Sequence, residues 1–293
     1  MRFATFIDPS GEQDVGYLTG LDGVVSLSSV LGSGGDLASV IDEWDSVAAF
    51  VATTPSPEFS LRDIRLLAPL PRPRRNIMCI GKNYLEHVEE FEKSGYDVTQ
   101  SADAKGKPVF FTKAPSTVIG PDEGIHMHSG ITHEVDYEAE LAVIIGIGGR
   151  AIPRDKALEH VWGFTALNDV TARDLQKDHQ QWFLGKSLDS FCPMGPVAVT
   201  ADEIDLADTS VTSRVNGEVR QASNTRFLIH DVASLIASLS AGITLQPGDV
   251  IATGTPSGVG IGFTPPRFLN EGDVVEVEIE GIGVLRNRFG ESP

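Results

Sequence analysis

Cysteine is scarce in this 293-residue chain, with only Cys79 and Cys192 present. They form no CxxC and no spacing on which a zinc site or a disulfide framework is built. They read as reduced thiols, so a reducing, cytoplasmic setting is expected. Met1 to Ser10 has no basic stretch followed by an apolar core, and no signal peptide is expected. No uncharged apolar run approaches the roughly 20 residues that span a bilayer. Positive charge is the other shortage. Lys and Arg number 23 against 41 Asp and Glu, a formal net charge of -18. That balance argues against nucleic acid or an anionic membrane as partner. The glycine-rich string GTPSGVG, from Gly254 to Gly260, lacks the GK[ST] ending of a Walker loop and the GxGxxG of a dinucleotide site. No internal repeat or low-complexity stretch stands out.

What is present reads as a sheet-dominated α/β chain. A hydrophobic fraction of 41% and a mean hydropathy of -0.03 fit a soluble globular protein. MRFATFID and DVGYLTG look like strands joined by a turn at PSGEQ, with VVSLSSVL continuing the pattern. Leu37, Val40, Ile41, Trp44, Val47 and Phe50 share one face of a helix expected across DLASVIDEWDSVAAFVATT. The proline-rich LLAPLPRPRRN (Leu66 to Asn76) marks a boundary, giving a small N-terminal α/β domain over 1–72 and a catalytic domain over 73–293. Beyond it, the apolar β-rich runs IMCIG, PVFF, LAVIIG, DVIATG and VVEVEIEG alternate with Gly/Pro turns. Helical patterns are fewer, chiefly RDKALEHVWG and RFLIHDVASLIASLS. The repeating βα rhythm of a barrel or a doubly wound sheet is missing.

The chemistry concentrates in HEVDYEAELAVIIG (His133 to Gly146). Side chains two apart on a strand point the same way, so Asp136, Glu138 and Glu140 are expected on one face. An isolated acidic alternation is ordinarily a solvated edge. Here it runs straight into the apolar LAVIIG, which places the carboxylates at a core-proximal strand end. Carboxylates crowded there repel one another unless a cation sits among them. Oxygen ligands without His or Cys at ligand spacing favour a hard cation, Mg²⁺ or Mn²⁺, with Ca²⁺ also possible. Asp169, which ends the apolar VWGFTALN, is either a third ligand or the cap of a turn. His87 and Glu90 are three apart, which on a helix makes them neighbours able to orient an imidazole. The same spacing also fits a solvated amphipathic helix. Gly254, Gly258 and Gly260 either let the backbone approach a ligand, with Thr255 offering its hydroxyl or N–H, or form a plain turn. Lys82 and Lys113 are expected as surface charges. The polar Glu92-to-Pro108 stretch suits a mobile loop.

Eight strings in chain order resemble the fumarylacetoacetate hydrolase family, from about Asn76 nearly to the C-terminus. They are CIGKNYLEHVEE (Cys79 to Glu90), PVFFTKAPSTVIGP (Pro108 to Pro121), DYEAEL (Asp136 to Leu141), NDVTARDLQ (Asn168 to Gln176), GKSLDSFCPMGP (Gly185 to Pro196), VNGEVRQ (Val215 to Gln221), LQPGDVIATGTPSGVG (Leu245 to Gly260) and FLNEGDVVEVEIEGIG (Phe268 to Gly283). The resemblance implies a β-sandwich-like roll of mixed sheets with short helices. It implies a metal held by Glu138, Glu140 and Asp169, and a small anionic keto-acid substrate. It assigns His87 and Glu90 to the activation of water, Lys186 and Gln176 to the stabilisation of an enolate, and Arg173, Thr255 and Gly254 to the substrate. The activity it implies is hydrolytic C–C cleavage of a 2,4-diketo acid, an acylpyruvate or a diketo-deoxy sugar acid, to pyruvate and a carboxylic acid. Oxaloacetate decarboxylation and enol–keto isomerisation share the enolate and stand as alternatives. A non-enzymatic metal-binding module has no need of Gln176, Lys186 and His87 together. A homodimer with one site per subunit is expected from the resemblance, not from any direct signal.

Overall fold

The computed structural model describes residues 1–96 and 106–290. Its main sheet runs, in spatial order, through Phe59–Ser60, Gly23–Ser26, Gln13–Thr19, Arg2–Ile7, Cys192–Thr200, Val161–Asn168, Ala139–Ile145, Val250–Ala252, Ile77–Gly81 and Val109–Lys113. Neighbours along this path are antiparallel except Val250–Ala252 against Ile77–Gly81, which are parallel. A second sheet is ordered Glu218–Asn224, Ser210–Val215, Val274–Ile279, Gly283–Phe289, Gly124–Ile125.

The strand Ala139–Ile145 explains the layering. All of its residues are buried, and its side chains alternate between two cores. Leu141, Val143 and Ile145 pack with Val211, Val277 and Leu285 of the second sheet and with Leu235 and Ile236 of the helix Val232–Ser240. Ala142 and Ile144 pack on the other side with Phe3, Trp162 and the N-terminal Leu37, Val40 and Val47. The main sheet is therefore covered on both faces, as a continuous apolar run requires. The sheet-dominated α/β expectation, with mixed sheets and short helices, holds.

The N-terminal segment is stitched into this sheet rather than set apart from it. Arg2–Ile7 pairs with Cys192–Thr200, and the Phe3 ring lies 5.5 Å from that of Trp162 and 6.0 Å from that of Trp44. The expected long helix is two, Leu37–Asp42 and Trp44–Val51, because Glu43 leaves helical geometry at φ -111°. Asp36 caps the first by accepting from the amides of Ala38 and Ser39. VVSLSSVL is strand only to Ser26, and Ser28–Leu31 turns helical. RDKALEHVWG forms a 3₁₀ stretch at Arg154–His160 and then enters the strand Val161–Asn168.

Of the expected loop from Glu92 to Pro108, residues 97–105 lie outside the described residues. Its start belongs to the helix Leu85–Ser94, which ends at Gly95 in the left-handed region, φ 79°. Both cysteines are buried and unbridged. No helix among the described residues is long and apolar enough to cross a membrane.

Candidate active site

Strand register builds the carboxylate cluster. Ala139 lies opposite Asn168 in the antiparallel pair, so Glu138 and Asp169 meet just beyond the end of the pairing. The Asp169 amide donates to the Glu138 carbonyl at 2.9 Å, and the Asn168 side chain accepts from the Glu138 amide at 3.0 Å. Glu140, two residues on, points the same way as Glu138. Carboxylate oxygens of Glu138, Glu140 and Asp169 lie within 4.8 Å of one another, and all three residues are buried. This is the expected set.

Asp136 departs from the expected shared face. The chain leaves strand geometry at Tyr137 and Glu138, and Val135–Asp136 pairs instead with Thr171–Ala172. Asp136 accepts from the amides of Tyr137, Gly260 and Ile261 and from Arg173 Nε at 2.9 Å. It anchors an arginine rather than facing the cluster.

Buried cations surround these carboxylates. Lys186 Nζ donates to Glu138 Oε2 at 2.8 Å and to Asp169 Oδ2 at 2.7 Å. Lys113 is no surface charge. It is fully buried, and its Nζ donates to Asp169 Oδ1 at 2.6 Å and to the Val170 carbonyl at 3.0 Å. Arg173 Nη1 donates to Gln176 Oε1 at 3.1 Å. Its Nη2 lies 2.7 Å from Glu138 Oε1, close enough for an ion pair but off the N–H axis, so this buried nitrogen keeps no hydrogen-bond partner.

The environments split the two glutamates. Burial opposes ionisation of Glu138, but Lys186 and then Arg173 override it and pull the carboxyl down to about 2. For Glu140, burial and then the charges of Asp169 and Glu138 hold the carboxyl well above the usual carboxylate range. Glu140 Oε2 accepts from the Gly254 amide at 2.7 Å, while the buried Oε1 has no partner. With Glu140 ionised, as a metal ligand must be, four carboxylates (Asp136, Glu138, Glu140, Asp169) face three cations (Lys113, Arg173, Lys186), one negative charge in excess. A partnerless buried oxygen and an uncompensated charge are what a hard divalent cation resolves. The donor set fits such an ion.

His87 and Glu90 lie on the helix Leu85–Ser94, with His87 Nδ1 3.2 Å from Glu90 Oε2. Glu90 Oε1 accepts from the Gly258 amide at 2.9 Å, so the glycine-rich loop grips the carboxylate that orients the imidazole. Gly254 needs its φ of +100° and the bare Cα, since a Cβ there would lie 2.8 Å from that of Asn83. The Gly254 amide is spent on Glu140, so within the protein this residue positions a carboxylate of the cluster. Thr255 Oγ1 accepts from Gln221 Nε2 at 2.7 Å.

A cavity of about 20 Å³ joins these parts, bordered by His87, Glu138, Arg173, Gln176, Lys186 and Thr255 together with Ile80, Gly81, Lys82, Phe91, Phe111 and Trp182. Of the predicted site residues, His87, Glu138, Arg173, Gln176, Lys186 and Thr255 border the cavity, Glu90 and Asp169 bond to residues that do, and Glu140 and Gly254 bond to each other. Lys82 lines it too and is only 8% exposed, correcting its expected surface role. The aromatic wall had not been expected. Lys113 was discoverable in part, because it shares a strand face with Phe111 at the end of the apolar Val109–Lys113 run.

The comparisons with known proteins follow the same residues. Residues 76–290 match the family model described as fumarylacetoacetate (FAA) hydrolase C-terminal. The chain is 48% identical over 233 residues to oxaloacetate tautomerase YisK of Bacillus subtilis (strain 168), covering 79% of this chain and 75% of that protein. The structure of a fumarylacetoacetate hydrolase from Exiguobacterium antarcticum superposes with a TM-score of 0.82 at 42% identity, over 99% of this chain and 100% of the other. That of a 5-carboxymethyl-2-hydroxymuconate delta-isomerase from Mycobacterium smegmatis gives 0.76 at 32% identity, over 99% and 100%. Motifs, register and whole-chain likeness converge, and the chain belongs to the fumarylacetoacetate hydrolase family.

Proposed function

We propose that this protein interconverts the enol and keto forms of a small 2-oxo acid of the oxaloacetate class. The observation that carries the reading is the union, around one cavity, of an oriented imidazole with a cluster suited to an enolate. The 48% identity to a protein named oxaloacetate tautomerase supports it. Glu138, Glu140 and Asp169 would hold a divalent cation, Mg²⁺ or Mn²⁺, which when bound supplies positive charge for the enolate. That charge turns the local excess of one negative into an excess of one positive, matched to an anionic substrate. Arg173, whose Nη2 makes an ion pair but no aligned hydrogen bond within the protein, and Thr255 hold the 2-oxo acid's carboxylate. Lys186 and Gln176 face the charge that develops as the C3 proton leaves.

His87 carries that proton. It takes the proton from C3 of the keto form and returns one to the enolate oxygen, which balances the interconversion with no other reactant. Glu90 holds the ring in place. A cavity of about 20 Å³ accepts roughly one water, so a substrate needs more room than this conformation gives.

Hydrolytic C–C cleavage of an acylpyruvate is the second reading, favoured by the same His87–Glu90 pair, since a positioned base also activates water. The products separate the readings. Enol absorbance of oxaloacetate should relax to the keto value without carbon dioxide or pyruvate. Pyruvate plus carbon dioxide would make the protein a decarboxylase, and pyruvate plus acetate from acetylpyruvate would make it the hydrolase.

Gly262 offers a check on the dyad that replaces neither member. A Cβ at this position would lie 1.8 Å from Glu90 Oε1. Gly262→Ala should push the carboxylate off the imidazole and lower kcat by up to about 10²-fold, as small misplacements do. Steady-state kinetics showing parental kcat would mean that the ring does not depend on Glu90.

A further inference from the structure

The string VNGEVRQ ends on Gln221, a residue to which the reaction as drawn gives no part. Gln221 lies on the strand Glu218–Asn224 of the second sheet and is fully buried. Both ends of its amide are in use. Oε1 accepts from the Ala139 amide at 3.0 Å and from Ser213 Oγ at 2.9 Å. Nε2 donates to Thr255 Oγ1 at 2.7 Å and to the Pro256 carbonyl at 2.8 Å. A backbone N–H can only donate and a carbonyl can only accept, so Ala139 and Pro256 fix which end of the amide is which. The two ends also reach two parts of the site. Ala139 stands between Glu138 and Glu140, and Thr255 borders the cavity.

The direction of that amide decides what the Thr255 hydroxyl can do. A hydroxyl carries a single hydrogen. Because Nε2 donates to Oγ1, the hydrogen is turned away from Gln221, and among the described residues it has no acceptor. Thr255 is only 3% exposed, so bulk water is a poor substitute. The loop is seated closely on the strand that carries Gln221. A Cβ at Gly258 would lie 2.0 Å from the Arg220 carbonyl oxygen, and the Tyr137 hydroxyl donates to the Gly258 carbonyl at 2.8 Å. On the other side of Thr255, the Gly254 amide is bonded to Glu140.

We infer that Gln221 is a positioning residue that makes the Thr255 hydroxyl an obligate donor to the substrate carboxylate. This rests on the placing of that carboxylate against Arg173 and Thr255, and it adds the group that sets the polarity of the contact. A threonine hydroxyl without such a neighbour can present either its hydrogen or a lone pair to the cavity, and a lone pair repels an anion. Gln221 occupies the lone-pair side and leaves the hydrogen for the ligand. The donor is then oriented before the anion arrives, so binding bears no cost of turning it.

Gln221→Glu keeps the size of the side chain and the acceptor for Ala139 and Ser213. Once ionised it has no hydrogen to give, so the Thr255 hydroxyl must donate to it instead of to a ligand. Calorimetric titration with pyruvate, the smallest 2-oxo acid, with Mn²⁺ present reads the contact without turnover, and the Kd reports only on folded protein. Pyruvate affinity should fall by about 10-fold or more relative to the parent, the range for a hydrogen bond to a charged group. The loss should deepen as pH rises and the introduced carboxyl ionises. Mn²⁺ affinity measured without pyruvate should not weaken. Gln221→Met brings no charge and should also weaken pyruvate binding, but with no added pH step. In Thr255→Val the exchange Gln221→Met should cost little further, because the group it acts through is gone. An equal loss with and without the Thr255 hydroxyl would make Gln221 a packing residue and overturn the proposal. So would parental pyruvate affinity in both Gln221 variants across the pH range, whatever reaction the enzyme catalyses. The expected pattern in a protein that leaves the oxaloacetate enol unrelaxed would retain Gln221 and sink the enol–keto reading.

Discussion

Glu140→Gln is expected to weaken Mn²⁺ binding by at least about 100-fold, beyond the 10- to 100-fold typical of groups one step removed from a metal. Activity should fall with it and should not return at accessible Mg²⁺ concentrations. The reason is local. Glu140 is buried, one oxygen is committed to the Gly254 amide, and the other has no partner. Glutamine can still accept from Gly254, so the fold loses little. What it lacks is the negative oxygen that a hard cation requires. The sign reverses for stability in chelator. Burial, Asp169 and Glu138 all resist ionisation of Glu140. A neutral amide should therefore melt at or above the parent temperature when no metal is present. Added Mn²⁺ should raise the melting temperature of the parent and leave the variant unmoved. Calorimetric titration showing parental Mn²⁺ affinity in Glu140→Gln would remove Glu140 from the ligand set.

Where the sequence was legible, a local rule coincided with the tertiary outcome. Glu138 and Glu140 follow strand period, and His87 with Glu90 follows helix spacing. Asp169 was readable only as a ligand or a turn cap, because its meeting with Glu138 depends on the register of two strands. Asp136 shows the limit of period two. The alternation is unbroken in the sequence, but the chain crosses between two sheets at Tyr137, and nothing nearby signals the crossing. Lys82 and Lys113 fail for a different reason. Lysine is ordinarily exposed, and the partner that buries Lys113 is Asp169, 56 residues along the chain. The helix break at Glu43 likewise has no cue in the apolar stripe, which continues through it from Ile41 to Trp44. The eight motifs gave the architecture by resemblance. Periodicity alone reached only a chain rich in strands, since sheet order is set by pairings between distant segments such as Arg2–Ile7 with Cys192–Thr200.

His87→Ala should lower kcat by roughly 10²–10⁴-fold, the usual contribution of a positioned proton carrier. Mn²⁺ affinity should stay at the parental value, because the imidazole is not among the three converging carboxylates. Glu90→Gln should cost less, since it orients the ring and carries no proton itself. The double variant should be no slower than His87→Ala alone, as two residues that act as one unit are not additive. Lys186→Ala separates from both. Its Nζ bonds Glu138 and Asp169 and faces the substrate charge, so KM should rise as kcat falls. It also strips a partner from two buried carboxylates, which should destabilise the fold by about 3–5 kcal/mol. Measuring kcat, KM and thermal melts on the three variants distinguishes these patterns. If His87→Ala raises KM with kcat intact, His87 is a closing contact on the Leu85–Ser94 helix. Proton transfer would then have to come from another group on the cavity wall, and the hydrolytic reading would lose its base as well.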